Sequence, residues 1–93
     1  MATGGNLSLR IPGQAGFAIT PSNYDYLKMT PDDVCVLDFD LHLREGQLKP
    51  SVESAMHGAI YQVRHDVNAI IHTHRVYTSA LTVIKAPIPA LFF

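Results

Sequence analysis

Two histidines separated by one residue lie in a short, mostly apolar run with the sequence AIIHTHRVYTSA. On a β-strand, side chains two residues apart point to the same side, so His72 and His74 project together while Ile71 and Thr73 face the other way. Neutral imidazoles bind divalent metals, and a catalytic zinc site takes three protein ligands and keeps one position open. The pair could supply two of those ligands, although such a pair alone is more often hydrogen-bonded or partly exposed without a metal.

A carboxylate and several possible anion-binding segments precede this pair in the sequence. Glu53 falls in the first turn of a predicted helix, where free N–H groups and the helix dipole favour negative charge or a phosphate. The segments TGGNLS and ITPSN contribute backbone and hydroxyl donors that can cradle an anion. Each feature alone has a simpler explanation, which is charge complementarity at the helix start for Glu53 and an ordinary turn for each loop.

Strands and one clear helix are predicted to position these residues. NLSLRI and GFAIT alternate polar and apolar residues around a PGQAG turn, which predicts a hairpin, and VCVLDFD and AIIHTH are two further strands. A further short strand within LHLREGQ is left open. The segment PSVESAMHGAIYQVR is predicted to be a helix with Ser51 as N-cap, because its apolar residues recur at helical spacing: Val52, Met56, Ala59, Ile60 and Val63. VYTSALTVI is predicted to be a second helix. Together these elements predict a mixed α/β or α+β layered fold.

Composition excludes several classes of function. The chain has 93 residues, a formal charge of −1 and scattered basic residues, which argues for one domain and against nucleic acid or an anionic membrane as the main partner. No apolar run approaches the length of a bilayer span, and the first residues lack the pattern of a secretion signal. The single cysteine, Cys35, is predicted to be a small buried hydrophobe. We therefore expect a cytoplasmic protein.

The order of the motifs is more specific than any one of them. GGNLS, ITPS, KPSxE with a histidine four residues after the glutamate, and IIHTH follow one another, and this order resembles the class II aldolase/adducin family over essentially all 93 residues. The resemblance implies a central, largely antiparallel sheet flanked by helices. It also implies a zinc-dependent enzyme acting on a sugar phosphate, commonly a homotetramer. The family includes fuculose-phosphate and rhamnulose-phosphate aldolases, ribulose-phosphate 4-epimerases and non-catalytic adducin head domains.

The resemblance implies a role for each matching residue. His72 and His74 would be two of three histidines that hold Zn²⁺ or another divalent metal, and Glu53 would be the catalytic acid/base, able to approach the metal when substrate is absent. The residues around the substrate phosphate would be Gly5, Asn6, Ser22 and Ser51. The other histidines are expected to have packing or surface roles: His42, His57 and His65.

The sequence also departs from the family pattern. Asn23 stands where a glycine usually follows ITPS or ITPT, Val52 where a second phosphate-contacting serine usually stands, and Phe93 where fuculose-phosphate aldolases have a catalytic tyrosine. Residues 1–93 match a partial domain, since the family's first helix and C-terminal part, which carries the third zinc histidine, have no counterpart here. We therefore expect this chain alone to be catalytically poor.

Three functions remain open from the sequence. A zinc-dependent aldolase would cleave a ketose 1-phosphate to dihydroxyacetone phosphate and an aldehyde, and Glu53 favours this function because the family's epimerases carry aspartate there. A sugar-phosphate 4-epimerase or a sugar-acid phosphate decarboxylase would use the same site for different chemistry. A non-catalytic, adducin-like interaction module is the third, and the intact KPSxE and HTH motifs argue against it.

Overall fold

Six strands and one helix make up the part of the chain that the structure, a computed structural model, describes: residues 5–22, 26–74 and 79–85. For residues 26, 74, 79 and 80 the description is limited to the backbone. The strands are β1 (Gly5–Arg10), β2 (Gly16–Ile19), β3 (Cys35–Asp38), β4 (Leu43–Glu45), β5 (Ala69–His74) and β6 (Ser79–Ile84). The helix α1 spans Ser54–Val63, and two short 3₁₀ turns span Tyr26–Lys28 and Pro31–Asp33.

All six strands form one antiparallel sheet in the order β4-β3-β2-β1-β5-β6. The hairpin of β1 and β2 is therefore confirmed, and β4 is the strand that the sequence left open within LHLREGQ. Helix α1 packs on one face of the sheet, over β2. This arrangement confirms the expected layered fold with an antiparallel sheet, with α1 as its flanking helix in the described residues. None of the described helices combines the length and apolarity needed to cross a membrane.

The prediction of a second helix in VYTSALTVI is wrong. Within the described part of that segment, residues 79–84 form strand β6, which pairs with β5 along its whole length, from Ala69 opposite Ile84 to His74 opposite Ser79. Thr82, Val83 and Ile84 are β-branched, and such side chains lose rotamer freedom in a helix but fit a pleated sheet. The pairing also satisfies the backbone groups of β5 on the side away from β1.

The helix begins later than predicted, and Ser51 is not its N-cap. Glu53 occupies the N-cap position, and its side chain makes no capping hydrogen bond. Ser51 instead closes the turn before the helix: its Oγ accepts from the Glu53 N–H at 3.2 Å, and its carbonyl accepts from the Ser54 hydroxyl at 2.7 Å. The Ser51 N–H donates to the Thr20 carbonyl at 3.2 Å, which ties this turn to the end of β2.

The apolar stripe that identified the helix coincides only in part with the face that it buries, since Ile60 packs against the core but other members of the stripe are exposed. Val52 and Val63 are 77% and 76% exposed, whereas the buried helix residues are Ser54, His57, Gly58 and Tyr61. Tyr61 joins a core whose other fully buried members come from the sheet and the loop before β5: Phe17, Ile19, Cys35, Leu37, Val67 and Ile70. The helix therefore turns a partly polar face to the sheet, and the polar atoms on that face need hydrogen-bond partners within the core.

Cys35 lies in this core, as the sequence predicted. It is fully buried, and burial raises the pKa of its thiol. A buried thiol with a raised pKa carries little thiolate and reacts slowly, so a packing role follows.

Arg10, at the end of β1, holds the C-terminal end of α1 against the sheet. Its Nε donates to the Val67 carbonyl at 2.9 Å, and its Nη2 donates to the carbonyls of Tyr61 at 2.8 Å and Arg64 at 3.0 Å. The guanidinium carbon also lies 4.9 Å from the centroid of the Tyr61 ring. A cation at this end of a helix satisfies otherwise unpaired carbonyls and complements the helix dipole.

Replacing Arg10 with alanine should lower the free energy of unfolding by about 2 to 3 kcal/mol, because three charge-assisted hydrogen bonds and a cation–π contact are lost together. Arg10→Lys keeps the charge but not the planar fork, so it should recover only part of that loss. Urea unfolding followed by far-UV circular dichroism measures both variants. An Arg10→Ala midpoint equal to that of the unmodified chain would show that Arg10 does not stabilise the helix end.

Candidate active site

Strands β1 and β5 bring two of the predicted site residues side by side. Asn6 on β1 lies directly opposite His72 on β5, and Gly5 lies opposite Thr73. A Cβ atom on Gly5 would lie 2.5 Å from the His72 carbonyl oxygen, which is too short for any side chain. Glycine at this position therefore permits the close approach of β1 to the His72 backbone. Asn6 and His72 share one face of the sheet because they lie directly opposite each other in the antiparallel pair.

The N-terminal end of α1 brings the predicted acid/base to the same place. Oε2 of Glu53 is hydrogen-bonded to Nδ1 of His72, and the side chains are only 23% and 14% exposed, respectively. When Nδ1 of a neutral imidazole donates to a carboxylate, Nε2 keeps its lone pair, and this is the usual arrangement around a metal-binding histidine. The structure therefore brings Glu53 and His72 together, with the carboxylate at Nδ1 of the imidazole.

The second predicted metal ligand, His74, lies at the end of β5 with its backbone opposite Ser79. It follows His72 by two residues in the same continuous strand. Its side chain lies outside the described residues, so its part in a metal site stays a prediction.

The ITPS loop and the KPSxE turn before the helix lie alongside each other. Pro21 and Pro50 form an antiparallel bridge, and the Ser22 N–H donates to the Lys49 carbonyl at 2.8 Å. These contacts place Ser22 beside the turn that carries Ser51, which precedes Glu53 by two residues.

The loop after β2 is also attached to β1. The Leu7 N–H donates to Thr20 Oγ1 at 3.2 Å, and the Thr20 N–H donates to the Leu7 carbonyl at 3.1 Å. The GGN strand, the ITPS loop and the KPSxE turn therefore meet in one region, although they are far apart in the chain.

A buried polar network lies beneath this region, and the sequence analysis did not find it. Ser8 Oγ lies 2.5 Å from His57 Nδ1 and 2.7 Å from the Tyr61 hydroxyl, and His57 Nε2 is hydrogen-bonded to Asn6 Oδ1. His57, expected to support helix packing, is fully buried and contacts a predicted site residue. The available signal was paired polar spacing, with Asn6 and Ser8 two apart on a strand and His57 and Tyr61 four apart on a helix.

Burial sets the protonation of this network. It lowers the pKa of His57 to about 4, since desolvation disfavours the imidazolium, and it raises the pKa of Tyr61 to about 12. At neutral pH the network therefore contains a neutral imidazole and a protonated phenol.

A separate group of possible ligands lies at the turn between β3 and β4. Asp38, Asp40 and His42 each place one ligand atom within 4.8 Å of the others. Oδ1 of Asp38 accepts from the backbone N–H groups of Asp40 and His42, both at 2.9 Å, and its Oδ2 lies 2.8 Å from Arg44 Nη2. The backbone hydrogen bond from His42 and the Arg44 guanidinium lower the pKa of Asp38. These contacts explain the group as a charged turn, with His42 exposed as expected.

Of the remaining residues that the sequence singled out, two are described by the structure and two are not. Val52 is exposed and offers no hydroxyl to an anion, and His65 is exposed just beyond the end of α1. Asn23 and Phe93, the two other departures from the family pattern, lie outside the described residues.

Comparison with known proteins agrees with this geometry. Residues 1–92 match the family described as "Class II Aldolase and Adducin N-terminal domain". A 5-deoxy-D-ribulose 1-phosphate aldolase of Bacillus thuringiensis is 38% identical over 91 residues, covering 98% of this chain and 43% of that protein. A protein of Mycoplasma pneumoniae named "Probable L-ribulose-5-phosphate 4-epimerase UlaF" is 36% identical over 90 residues, covering 96% of this chain and 37% of its own length.

The fold agrees as well. The solved structure of an L-fuculose 1-phosphate aldolase superposes with a TM-score of 0.76 at 42% identity, covering 82% of this chain and 36% of that one. The chain thus spans well under half the length of these relatives. The order of motifs, the antiparallel sheet and the match over residues 1–92 together place the chain in the class II aldolase and adducin N-terminal family.

Proposed function

We propose that this chain contributes the acid/base and part of the metal site of an enzyme that cleaves a ketose 1-phosphate to dihydroxyacetone phosphate and an aldehyde. The observation that carries the proposal is the contact between Glu53 and His72, formed where the three anion-binding motifs meet. The aldolase names of two relatives support the same reaction class. The chain spans less than half of the length of these relatives, so the proposed reaction is that of the whole enzyme.

The donor set suits a divalent metal. Imidazole nitrogens with a nearby carboxylate are donors that Zn²⁺ takes, and His72, in contact with Glu53, and His74, two residues later in β5, would supply two of the nitrogens. His72 and His74 would hold the ion together with a third ligand, with Glu53 close by when substrate is absent. When bound, the ion supplies Lewis-acid stabilisation of the negative charge that develops as the carbon–carbon bond breaks.

The chain's own residues would carry the remaining steps. Glu53 protonates the carbon released by bond cleavage and removes that proton in the condensation direction, as a general acid/base positioned at the reacting atom. The donors of Gly5, Asn6, Ser22 and Ser51 bind the phosphate, which fixes the reacting carbon relative to Glu53. The family resemblance extends the proposal to a cytoplasmic homotetramer.

A 4-epimerase is the second candidate, favoured by the similarity to the Mycoplasma pneumoniae protein. It would use the same phosphate and metal site, with cleavage and re-formation of the bond instead of product release. Glu53 at the acid/base position argues for the aldolase. The contact of Glu53 with His72 also argues against an adducin-like module, which would not need a carboxylate and an imidazole in register.

We expect the protein, expressed at the full length of its gene and loaded with Zn²⁺, to release dihydroxyacetone phosphate from at least one ketose 1-phosphate. A panel containing L-fuculose 1-phosphate and 5-deoxyribulose 1-phosphate, assayed with a dehydrogenase that consumes dihydroxyacetone phosphate, measures the release. Parallel incubation with L-ribulose 5-phosphate, followed by separation of the epimers, tests the second candidate. Epimerisation without release of dihydroxyacetone phosphate would reject the aldolase proposal in favour of the epimerase. Inactivity in both assays would support a non-catalytic module.

A further inference from the structure

A buried chain of hydrogen bonds connects the helix core to the proposed anion site, and it runs from Tyr61 through Ser8 and His57 to Asn6. We propose that His57 is a positioning residue that fixes the orientation of the Asn6 side-chain amide so that its N–H donors face the substrate anion. This inference rests on the proposed function, because it assumes that Asn6 contacts the anion. It assigns to His57 a role beyond the packing expected from the sequence.

The donor and acceptor roles in this series of hydrogen bonds follow from Tyr61, its last member. Tyr61 is protonated at neutral pH, and among the described residues its hydroxyl has Ser8 Oγ as its hydrogen-bond partner. The Tyr61 O–H therefore donates to Ser8, which leaves the Ser8 hydroxyl proton to donate to His57 Nδ1. A neutral imidazole that accepts at Nδ1 carries its proton on Nε2, so His57 donates to Asn6.

This direction determines which end of the Asn6 amide faces His57. An Nε2–H donor requires an acceptor, so Oδ1 of Asn6 is turned toward His57, and the Nδ2 amide group points away from His57, on the opposite side of the Cβ–Cγ bond. A flipped amide would place two N–H donors against each other and present its oxygen to the anion. Both changes are unfavourable, so one hydrogen bond selects the orientation that binds anions.

Burial of the network maintains this orientation of the Asn6 amide. His57 is fully buried, and Asn6 and Ser8 are only 6% and 1% exposed. Water therefore cannot replace the missing partner if one member of the network is removed. The neutral state of His57 agrees with this, since a protonated ring would donate from Nδ1 as well and oppose the Ser8 hydroxyl.

The tautomer of His57 is the first test, because it is a property of the folded chain and does not require activity. Long-range ¹H–¹⁵N correlation spectra at neutral pH distinguish a protonated from an unprotonated ring nitrogen. We expect His57 to be neutral, with its proton on Nε2, and a resonance pattern for the opposite tautomer or for the imidazolium would overturn the proposal. His65, exposed near the helix end, serves as the internal comparison because it should show fast-exchanging, mixed tautomers.

The second test measures the affinity for inorganic phosphate in the protein expressed at the full length of its gene. His57→Leu removes the donor and should weaken binding about 10- to 100-fold, which corresponds to one misoriented, charge-assisted donor. His57→Gln should restore most of the affinity, because its amide can accept from Ser8 at Oε1 and donate to Asn6 from Nε2. Equal losses in both variants would indicate a packing role alone and would overturn the proposal.

A double-mutant cycle with Asn6→Ala separates this inference from the proposed function. If His57 acts through Asn6, His57→Leu should have little further effect once Asn6 is alanine. Additive losses would overturn the positioning role and leave the anion site in place. An Asn6→Ala variant that binds phosphate as tightly as the unmodified protein would remove Asn6 from the anion site and overturn both proposals at that residue.

Discussion

Replacement of Glu53 with glutamine should lower turnover about 100- to 10,000-fold, the range that loss of a general acid/base covers. Glutamine has nearly the same shape, and its Oε1 can still accept the Nδ1–H of His72, so the contact that orients the imidazole is retained. A side-chain amide neither gains nor loses a proton at neutral pH, so it cannot act as a general acid or base. The expected result is therefore a catalytic defect without a structural one.

Steady-state assays with the most active ketose 1-phosphate measure this effect, with metal content determined on the same samples. The metal content should stay near one ion per subunit, as expected for a site held mainly by imidazoles. Glu45→Gln is the matched control, since Glu45 is an exposed carboxylate on the edge strand β4 and should leave turnover unchanged. Turnover within a factor of about 3 of the unmodified enzyme would reject Glu53 as the acid/base, since that is far below the range expected for such a group.

Replacement of His72 with alanine should abolish stable metal binding. The variant removes a proposed direct ligand, so its effect should exceed the loss of about 10- to 100-fold in affinity that follows removal of a group that only orients a ligand. Glu53→Ala provides that comparison, because it removes the carboxylate that accepts from His72 Nδ1 and leaves the imidazole in place. The expected order of Zn²⁺ affinity is therefore unmodified protein, then Glu53→Ala, then His72→Ala.

Competition with a chromophoric chelator measures the three affinities. His65→Ala is the matched control, because His65 is exposed beyond the end of α1 and should bind no site metal. Unchanged affinity in His72→Ala would show that the metal, if bound, is held elsewhere. Comparison with His42→Ala would then test the charged turn of Asp38, Asp40 and His42 as that alternative.

The sequence by itself determined the hairpin, the strands VCVLDFD and AIIHTH, and the existence of the helix that carries Glu53. These elements have strong local signals, namely period-two alternation, short β-branched runs and turn residues for the strands, and apolar spacing for the helix. The order of the motifs also determined the family, because their residue types are specific when taken together. Local patterns were sufficient here because each depends on residues that are neighbours in the chain.

Only the tertiary structure showed that residues 79–84 form strand β6, which face of α1 is buried, and which hydrogen bonds connect the residues of the site. Residues 79–84 form a strand because they pair with the edge of β5. A short apolar run is compatible with a helix or a strand, so its own sequence does not predict that pairing. The helix buries His57 and Tyr61 because Ser8 and Asn6 on β1 supply their hydrogen-bond partners, while the more apolar Val52 and Val63 remain exposed. A polar side chain can enter a core only when its partners are already there, and those partners lie about 50 residues away in sequence.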